Sequence, residues 1–594
     1  MRLERTTASV VASVLAACAA GCGERPPEEP AAGPPAALVP PARVEAISAG
    51  DWPQPNRDPA GTRFSPLEQI HTDNVTHLVE AWRYPLPRRA AREPVLAGGY
   101  ELTPLAIGGV LYAAAADRVV ALDGASGREL WRHRVAGEPP SRRGLAYWPG
   151  GEGVAARLFY IAGRRLVALD ASTGEPVAAF GTGGAVGLAA PYDAAPTRFE
   201  DLLIVGARMP ASVRAFDART GTEVWAFDAA PASGGEAPST ASRAFSVAVD
   251  VDRALVYAAF AAARVGERKA DDTSGAAAAG STVALGARTG AVRWRYPTAL
   301  HDVMPDHGVA APPPTLLDVA IAGRTVPLLV QPTPLAYAFV LNRSSGEPVF
   351  GVEELAVAAA PGEHVRRVPA RPPPLARVAY AAADLVRAEH TTEEHATFCR
   401  EIVERGGAVA FPGPLGAVSW GGAAADPALA YAFVNTTSVG GIAPAAPADD
   451  GDGVARVHFW WDPSAERAGQ AWPCQRPPWG ELVALNLATG DLAWRVPLGI
   501  TETLPARRQR TGCPSAGGPI ATAGGLVFVA ATDDRRFRAF ASRTGEQLWA
   551  VELPANAHAV PITYLGGDGK QYVAIAASGA GDAEDSALIA FALP

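Results

Sequence analysis

The stretch ALDGASGRELW at residues 121–131 returns as AFDARTGTEVW at 215–225, ALGARTGAVRW at 284–294, ALNLATGDLAW at 484–494 and AFASRTGEQLW at 539–549. Weaker copies, ALDASTGEPVA from Ala168 and VLNRSSGEPVF from Val340, fill gaps in the spacing. A segment that recurs along a chain marks stacked, equivalent units, none of which buries its apolar face alone. Each copy follows a β-rich run such as GGVLYAAAADRVV (108–120) or GGLVFVAAT (524–532). The pattern predicts one hairpin per unit. Its Asp, Ser or Thr residues shape the turn, its glycine takes positive φ, and its closing tryptophan wedges against the neighbouring unit. The expected fold class is all-β: an eight-bladed β-propeller with tryptophan-docking repeats.

Composition suits such a chain. Its 594 residues include 61 glycines and 54 prolines, with 48% hydrophobic and 19% charged residues, enough to build a large core. Length alone would allow several domains, but radial repetition lets one propeller take most of it. The net charge of −9, without any Lys/Arg run, argues against a nucleic-acid partner.

The chain opens with MRLERTTASVVASVLAACAAGCG, in which Arg2 and Arg5 precede a short apolar run and then cysteine. This reads as a bacterial export signal, residues 1–22. Leu15-Ala16-Ala17-Cys18 has the form of a lipobox, with Cys22 as the rival lipid acceptor; an ordinary cleaved signal is the alternative. A Pro/Ala-rich tether follows at 23–46, too poor in apolar side chains to fold, and the propeller is expected over 47–594. No later apolar run reaches the roughly 18 residues a membrane span needs. The expected location is the periplasm, with membrane attachment through the lipid alone. Of the remaining cysteines, Cys399, Cys474 and Cys513, an oxidising compartment favours one pair, which the sequence leaves open.

Longer segments carry a family resemblance. DWPQPNRDPAGTRFSPLEQIHTDNVTHLVEAWRY (51–84) resembles the N-terminal signature of pyrroloquinoline quinone (PQQ)-dependent alcohol and glucose dehydrogenases, the eight-bladed quinoproteins. RGLAYW (143–148), His301-Asp302, WGGAAADP (420–427), PCQRPPWGELVAL (473–485), GGPIATAGGLVFVAATDDRRFRAF (517–540) and GKQYVAIAASG near the end are similar to the same family. The resemblance covers nearly the whole chain after the tether. It implies PQQ in a funnel on the propeller axis, calcium polarising a quinone carbonyl, and an aspartate that takes the alcohol proton as hydride moves to the quinone. No Cys-x-x-Cys-His haem motif occurs, so electrons would leave through an external carrier such as a cytochrome or a quinone.

By position in those motifs, Arg143 matches the arginine that pairs with a cofactor carboxylate, and Glu101 matches an acidic residue of the cofactor pocket. Trp420 and Asn435 fall where relatives place funnel residues. The departures are equally specific. Relatives read roughly His-Asp-Leu-Trp-Asp around the base, whereas this chain reads HDVMPDHG at 301–308, leaving Asp306, displaced by one position, and Asp302 as the candidate bases. His307 has no orienting partner visible in the sequence. Pro334 stands where relatives carry a cation after Gln-Pro-Thr, and the calcium-binding asparagine has no counterpart in the run from Tyr257. Asp271-Asp272 is a weak cation candidate and the metal ligands stay unassigned. Two readings follow: a PQQ-dependent dehydrogenase oxidising an alcohol or sugar at a rearranged site, or a catalytically inactive propeller lipoprotein whose degenerate PQQ/calcium site serves binding or scaffolding.

Overall fold

The computed structural model describes residues 47–87, 101–208 (except 152, 190, 191 and 193), 211–228, 247–260, 280–298, 311–359, 362–444 (except 406 and 414), 457–458, 460–461, 472–578 and 586–594. The expected signal and tether at 1–46 lie outside the described residues, as do His301, Asp302, Asp306, His307, Asp271 and Asp272.

Eight antiparallel sheets form an eight-bladed propeller, as the repeat predicted. Blades 1 to 8 occupy 105–134, 146–187, 197–228, 248–297, 315–342, 423–497, 520–552 and 562–592. Blade 5 shows three strands among the described residues. Blade 8 draws its outermost strand, Val79–Pro85, from the front of the chain, where it pairs antiparallel with Ala587–Ala592. The ring is thus closed in a sheet built from both chain ends. Middle strands lie between neighbouring blades and are largely buried: Ala587–Ala592 is buried at every position. Outer strands alternate instead, as in Glu129–Arg134.

The repeat explains blade docking. In each strong copy the pairing slips by one residue at the same point, for example between Ala121 and Leu122 or between Ala284 and Leu285. Four of the five closing indoles then reach the next blade's turn, while Trp549 packs on Phe591 of blade 8. Trp131 donates Nε1–H to the Ala171 carbonyl (3.2 Å), Trp225 to Ala287 (2.9 Å), Trp294 to Arg343 (3.1 Å) and Trp494 to Ser542 (2.9 Å). Trp82, on the strand borrowed by blade 8, donates to Gly124 of blade 1 (3.0 Å) and completes the circuit. The receiving glycines Gly174, Gly290, Gly346, Gly545 and Gly127 all have φ between 68° and 80°. A Cβ on any of them would lie 2.5 to 2.7 Å from the indole. Glycine is required twice over, by backbone conformation and by the ring stacked on it. The weak copies lack tryptophan: Val186 and Phe180 cover Gly221, and Phe350 covers Gly490.

Before becoming a blade strand, the chain circles the inner strands of the ring. Trp52 bridges Ala106 of blade 1, Gln54 Oε1 accepts from Arg198 N–H of blade 3 (2.9 Å), and Pro59 O accepts from Val249 of blade 4 (2.6 Å). Ala60, Thr62 and Arg63 carbonyls then accept from Leu316, Ala425 and Ala521 of blades 5, 6 and 7, and Gly50 O accepts from Leu565 of blade 8. Phe64–Ser65 adds a parallel strand to Ile520–Thr522. Residues 50–65 therefore form an axial segment bonded to seven of the eight blades.

Two excursions flank blade 6. The connection into it holds the α-helix Glu393–Glu404, capped by Thr392, whose side chain accepts from His395 N–H (3.3 Å). The Cys399–Cys474 disulfide ties this helix to the long excursion inside blade 6 and resolves the pairing the sequence left open. Cys513 keeps a free thiol that donates to Ile500 O (3.3 Å), and burial pushes its pKa up. Among the described residues no helix is long and apolar enough to cross a membrane.

Candidate functional site

Antiparallel order sorts the connections by face. The repeat turns emerge on one face; the links between blades, and those between second and third strands, emerge on the other. Glu101, Arg143 and Trp420 all sit in inter-blade links of that second face, leading into blades 1, 2 and 6. The structure brings them together. Arg143 Nε donates to Glu101 Oε2 at 2.8 Å, and its guanidinium carbon stands 4.6 Å from the centre of the Trp420 ring. Arg143 is 8% exposed, so its guanidinium is shielded, and the indole face adds cation–π attraction. Gly144 makes the approach possible: its φ is 108°, and a Cβ there would meet the Thr103 carbonyl at 2.5 Å.

A fourth member was not singled out from the sequence. Arg63, on the axial segment, is 2% exposed and donates Nε–H and Nη2–H to a single acceptor, Asn56 Oδ1 (2.9 and 2.7 Å). Its Nη1 is buried without a hydrogen-bond partner. Burial, with the Arg143 charge adding to it, pulls Arg63 down to about 9. Three glycines let the links close around it. A Cβ on Gly518 would fall 2.5 Å from Arg63 Nη1 and 2.6 Å from Gly421 O, and one on Gly421 would collide with Gly517 O. Nothing local in GTRFSPL announces this role, because the neighbours that define it lie on blades 2, 6 and 7.

Asn435 is placed differently. It is buried on the second strand of blade 6, and its Nδ2 donates to Ser515 Oγ (3.0 Å) in the link into blade 7. Ser515 N–H in turn donates to Thr437 Oγ1 (2.9 Å). Among the described residues Asn435 joins this polar cluster rather than Arg143. Pro334 offers no cation; its carbonyl accepts from Ala417 N–H (2.7 Å).

The arginine cluster fits an anionic quinone cofactor. Arg143 is paired with Glu101, whereas Arg63 bonds only the neutral Asn56 amide among the described residues and one of its nitrogens has no acceptor. Calcium finds no comparable fit among the described residues. Among the described residues the one grouping with metal-ligand spacing is His395, Cys399 and Cys474, whose sulfurs are already bonded to each other, whereas calcium takes oxygen ligands.

Sequence and structure comparisons agree with the geometry. The chain is 29% identical to quinoprotein glucose dehydrogenase of Escherichia coli, across 94% of this chain and 80% of that protein. It is 30% identical to quinate/shikimate dehydrogenase (quinone) of Acinetobacter baylyi, across 95% and 81%. Among solved structures, quinohemoprotein alcohol dehydrogenase from Comamonas testosteroni superposes with a TM-score of 0.65 at 22% identity, covering 93% of this chain and 82% of that one, which is a likeness of fold. The family model described as glucose/ethanol/alcohol dehydrogenase, β-propeller domain, matches residues 52–573, from the axial segment into blade 8. The chain belongs to the PQQ-dependent dehydrogenase family.

Proposed function

We propose that this protein is a PQQ-dependent dehydrogenase of the bacterial periplasm, lipid-anchored through Cys18 or Cys22, that oxidises an alcohol or sugar and passes electrons to an external cytochrome or quinone. The observation that carries the reading is the pair of buried guanidinium groups, Arg143 held by Glu101 and stacked on Trp420 and Arg63 with an unmet Nη1 donor, on the face of the inter-blade links. Bound there, PQQ would supply a two-electron acceptor. Arg143 would hold a cofactor carboxylate, and Trp420 would keep that guanidinium oriented and shielded from water. The proton leaving the substrate hydroxyl is assigned to Asp306, with Asp302 as the alternative acceptor. No step is assigned to calcium.

A second reading, an inactive binding or scaffold propeller, is favoured by one feature: a proline carbonyl bonded to Ala417 stands where relatives place a cation. Titration of the unlipidated chain with PQQ, with and without calcium, followed by dye-linked oxidation of alcohols and sugars, separates the two. Turnover lost in Asp306→Asn or Asp302→Asn identifies the base. PQQ binding without turnover on either substrate class leaves the scaffold reading, and absence of PQQ binding removes the first reading altogether. Membrane fractionation of Cys18→Ser and Cys22→Ser chains assigns the anchor.

A further inference from the structure

We propose that Arg63 is a second guanidinium for a ligand carboxylate at the Arg143 site, so that anion binding there also fastens the axial segment, residues 50–65, to the ring. The proposal rests on the PQQ reading for the source of that carboxylate, but its chemistry asks only for a carboxylate.

The argument is a contrast within the molecule. Arg343 is buried to a similar degree, 6% exposed against 2% for Arg63. Arg343 donates to Asp250 Oδ2 (2.6 Å) and Asp318 Oδ1 (2.7 Å), as a buried cation should. Burial lowers its pKa, yet those two carboxylates outweigh burial and leave it raised. Among the described residues Arg63 has no carboxylate. Two of its nitrogens share one amide oxygen, the third has no acceptor, and the charge that acts on it is another cation, Arg143. A desolvated guanidinium in that state lowers the stability of the unliganded fold, because its charge is uncompensated and a donor is unmet. A buried group kept at such a cost, beside a second arginine, has the properties of a binding residue rather than a structural one. Its unmet donor stands against Gly518, whose Cβ position also lies 2.6 Å from the carbonyl of Gly421; Gly421 is next in sequence to Trp420, which in turn faces Arg143. A carboxylate there would accept from Arg63 Nη1 and supply Arg63 with a counter-charge. Because Arg63 O also accepts from Ala521 of blade 7, a ligand that holds the side chain holds the segment.

The test uses the whole unlipidated chain as wild type, Arg63→Gln, Arg63→Lys and Arg143→Gln, titrated with PQQ by absorbance and calorimetry and, in a separate arm, with citrate. Thermal midpoints are taken with and without ligand. Hydrogen exchange of residues 50–65 is followed in the wild type. Arg63→Gln is expected to weaken binding by on the order of ten- to a hundredfold while the unliganded midpoint stays level or rises. Arg63→Lys should recover part of the affinity, and ligand should slow exchange in the axial segment. If citrate binds in an Arg63-dependent manner and PQQ does not, the Arg63 site stands and the cofactor reading falls. The proposal is overturned if PQQ binds Arg63→Gln as tightly as wild type while Arg143→Gln weakens it. It is equally overturned if the unliganded Arg63→Gln protein melts well below wild type at unchanged affinity, if ligand leaves exchange at 50–65 unaltered, or if neither PQQ nor citrate binds wild type.

Discussion

Replacing Gly290 by alanine tests whether the repeat's glycine serves the backbone alone or also the tryptophan of the preceding blade. Gly290 has φ +68°, and an added Cβ would lie 2.6 Å from Trp225 Cε3. Adopting positive φ with a side chain costs about 1 to 2 kcal/mol. The clash must in addition displace an indole that is 7% exposed and donates to Ala287 O at 2.9 Å. Overpacking of that kind costs about 1 to 3 kcal/mol. A control separates the two terms: Gly323 has nearly the same φ, +75°, with nothing within 4 Å of its Cβ position. Gly323→Ala therefore incurs the conformational cost alone. The two variants are compared by urea denaturation followed through tryptophan fluorescence, reading the difference between their midpoints, since shared contributions cancel. Gly290→Ala is expected to lose about 1 to 3 kcal/mol more than Gly323→Ala. Equal midpoints would refute the argument, for they would mean that indole packing between blades 3 and 4 adds nothing to the cost of positive φ.

Glu101→Gln removes a carboxylate that the buried Arg143 guanidinium now holds; PQQ affinity should rise several-fold by titration while the unliganded melting midpoint falls. Reducing Cys399–Cys474 opens a loop of 75 residues' separation, worth about 4.5 kcal/mol on a chain-entropy estimate. Limited proteolysis under reductant should therefore cut near the helix Glu393–Glu404 before the ring unfolds, and simultaneous loss of both would contradict this. The same excursion is acid-sensitive. Burial lowers His395 to about 4, so the fold favours its neutral form. The stability this gives is complete above the ordinary histidine pKa of about 6.5 and is lost as pH falls from there toward 4. Amide exchange in the helix should accelerate across that window, and His395→Gln should abolish the dependence.

The parts legible in the sequence are those whose partners are set by the repeat. One motif copied along the chain announces the turn, the positive-φ glycine and the wedging tryptophan together, because Trp131 meets Gly174 by the same rule that brings Trp225 to Gly290. Family motifs located Glu101, Arg143 and Trp420, and the structure adds that the first two are bonded to each other. What stayed illegible depends on non-repeating geometry. Cys399 and Cys474 meet because two excursions of different length end on the same side of blade 6, and no spacing rule encodes that. Asn435 is committed to Ser515 only through the link into blade 7. Arg63 is the sharpest case. In the sequence it is one arginine among many, surrounded by residues that say turn and loop. Its meaning comes from a segment that circles the inner strands and delivers a cation to a place where no acid among the described residues meets it. An excess charge of this kind is invisible to motif reading, since what defines it is the absence of a counter-charge among neighbours drawn from distant blades. It follows that in a ring closed by repetition the informative side chains are those on the one segment that does not repeat.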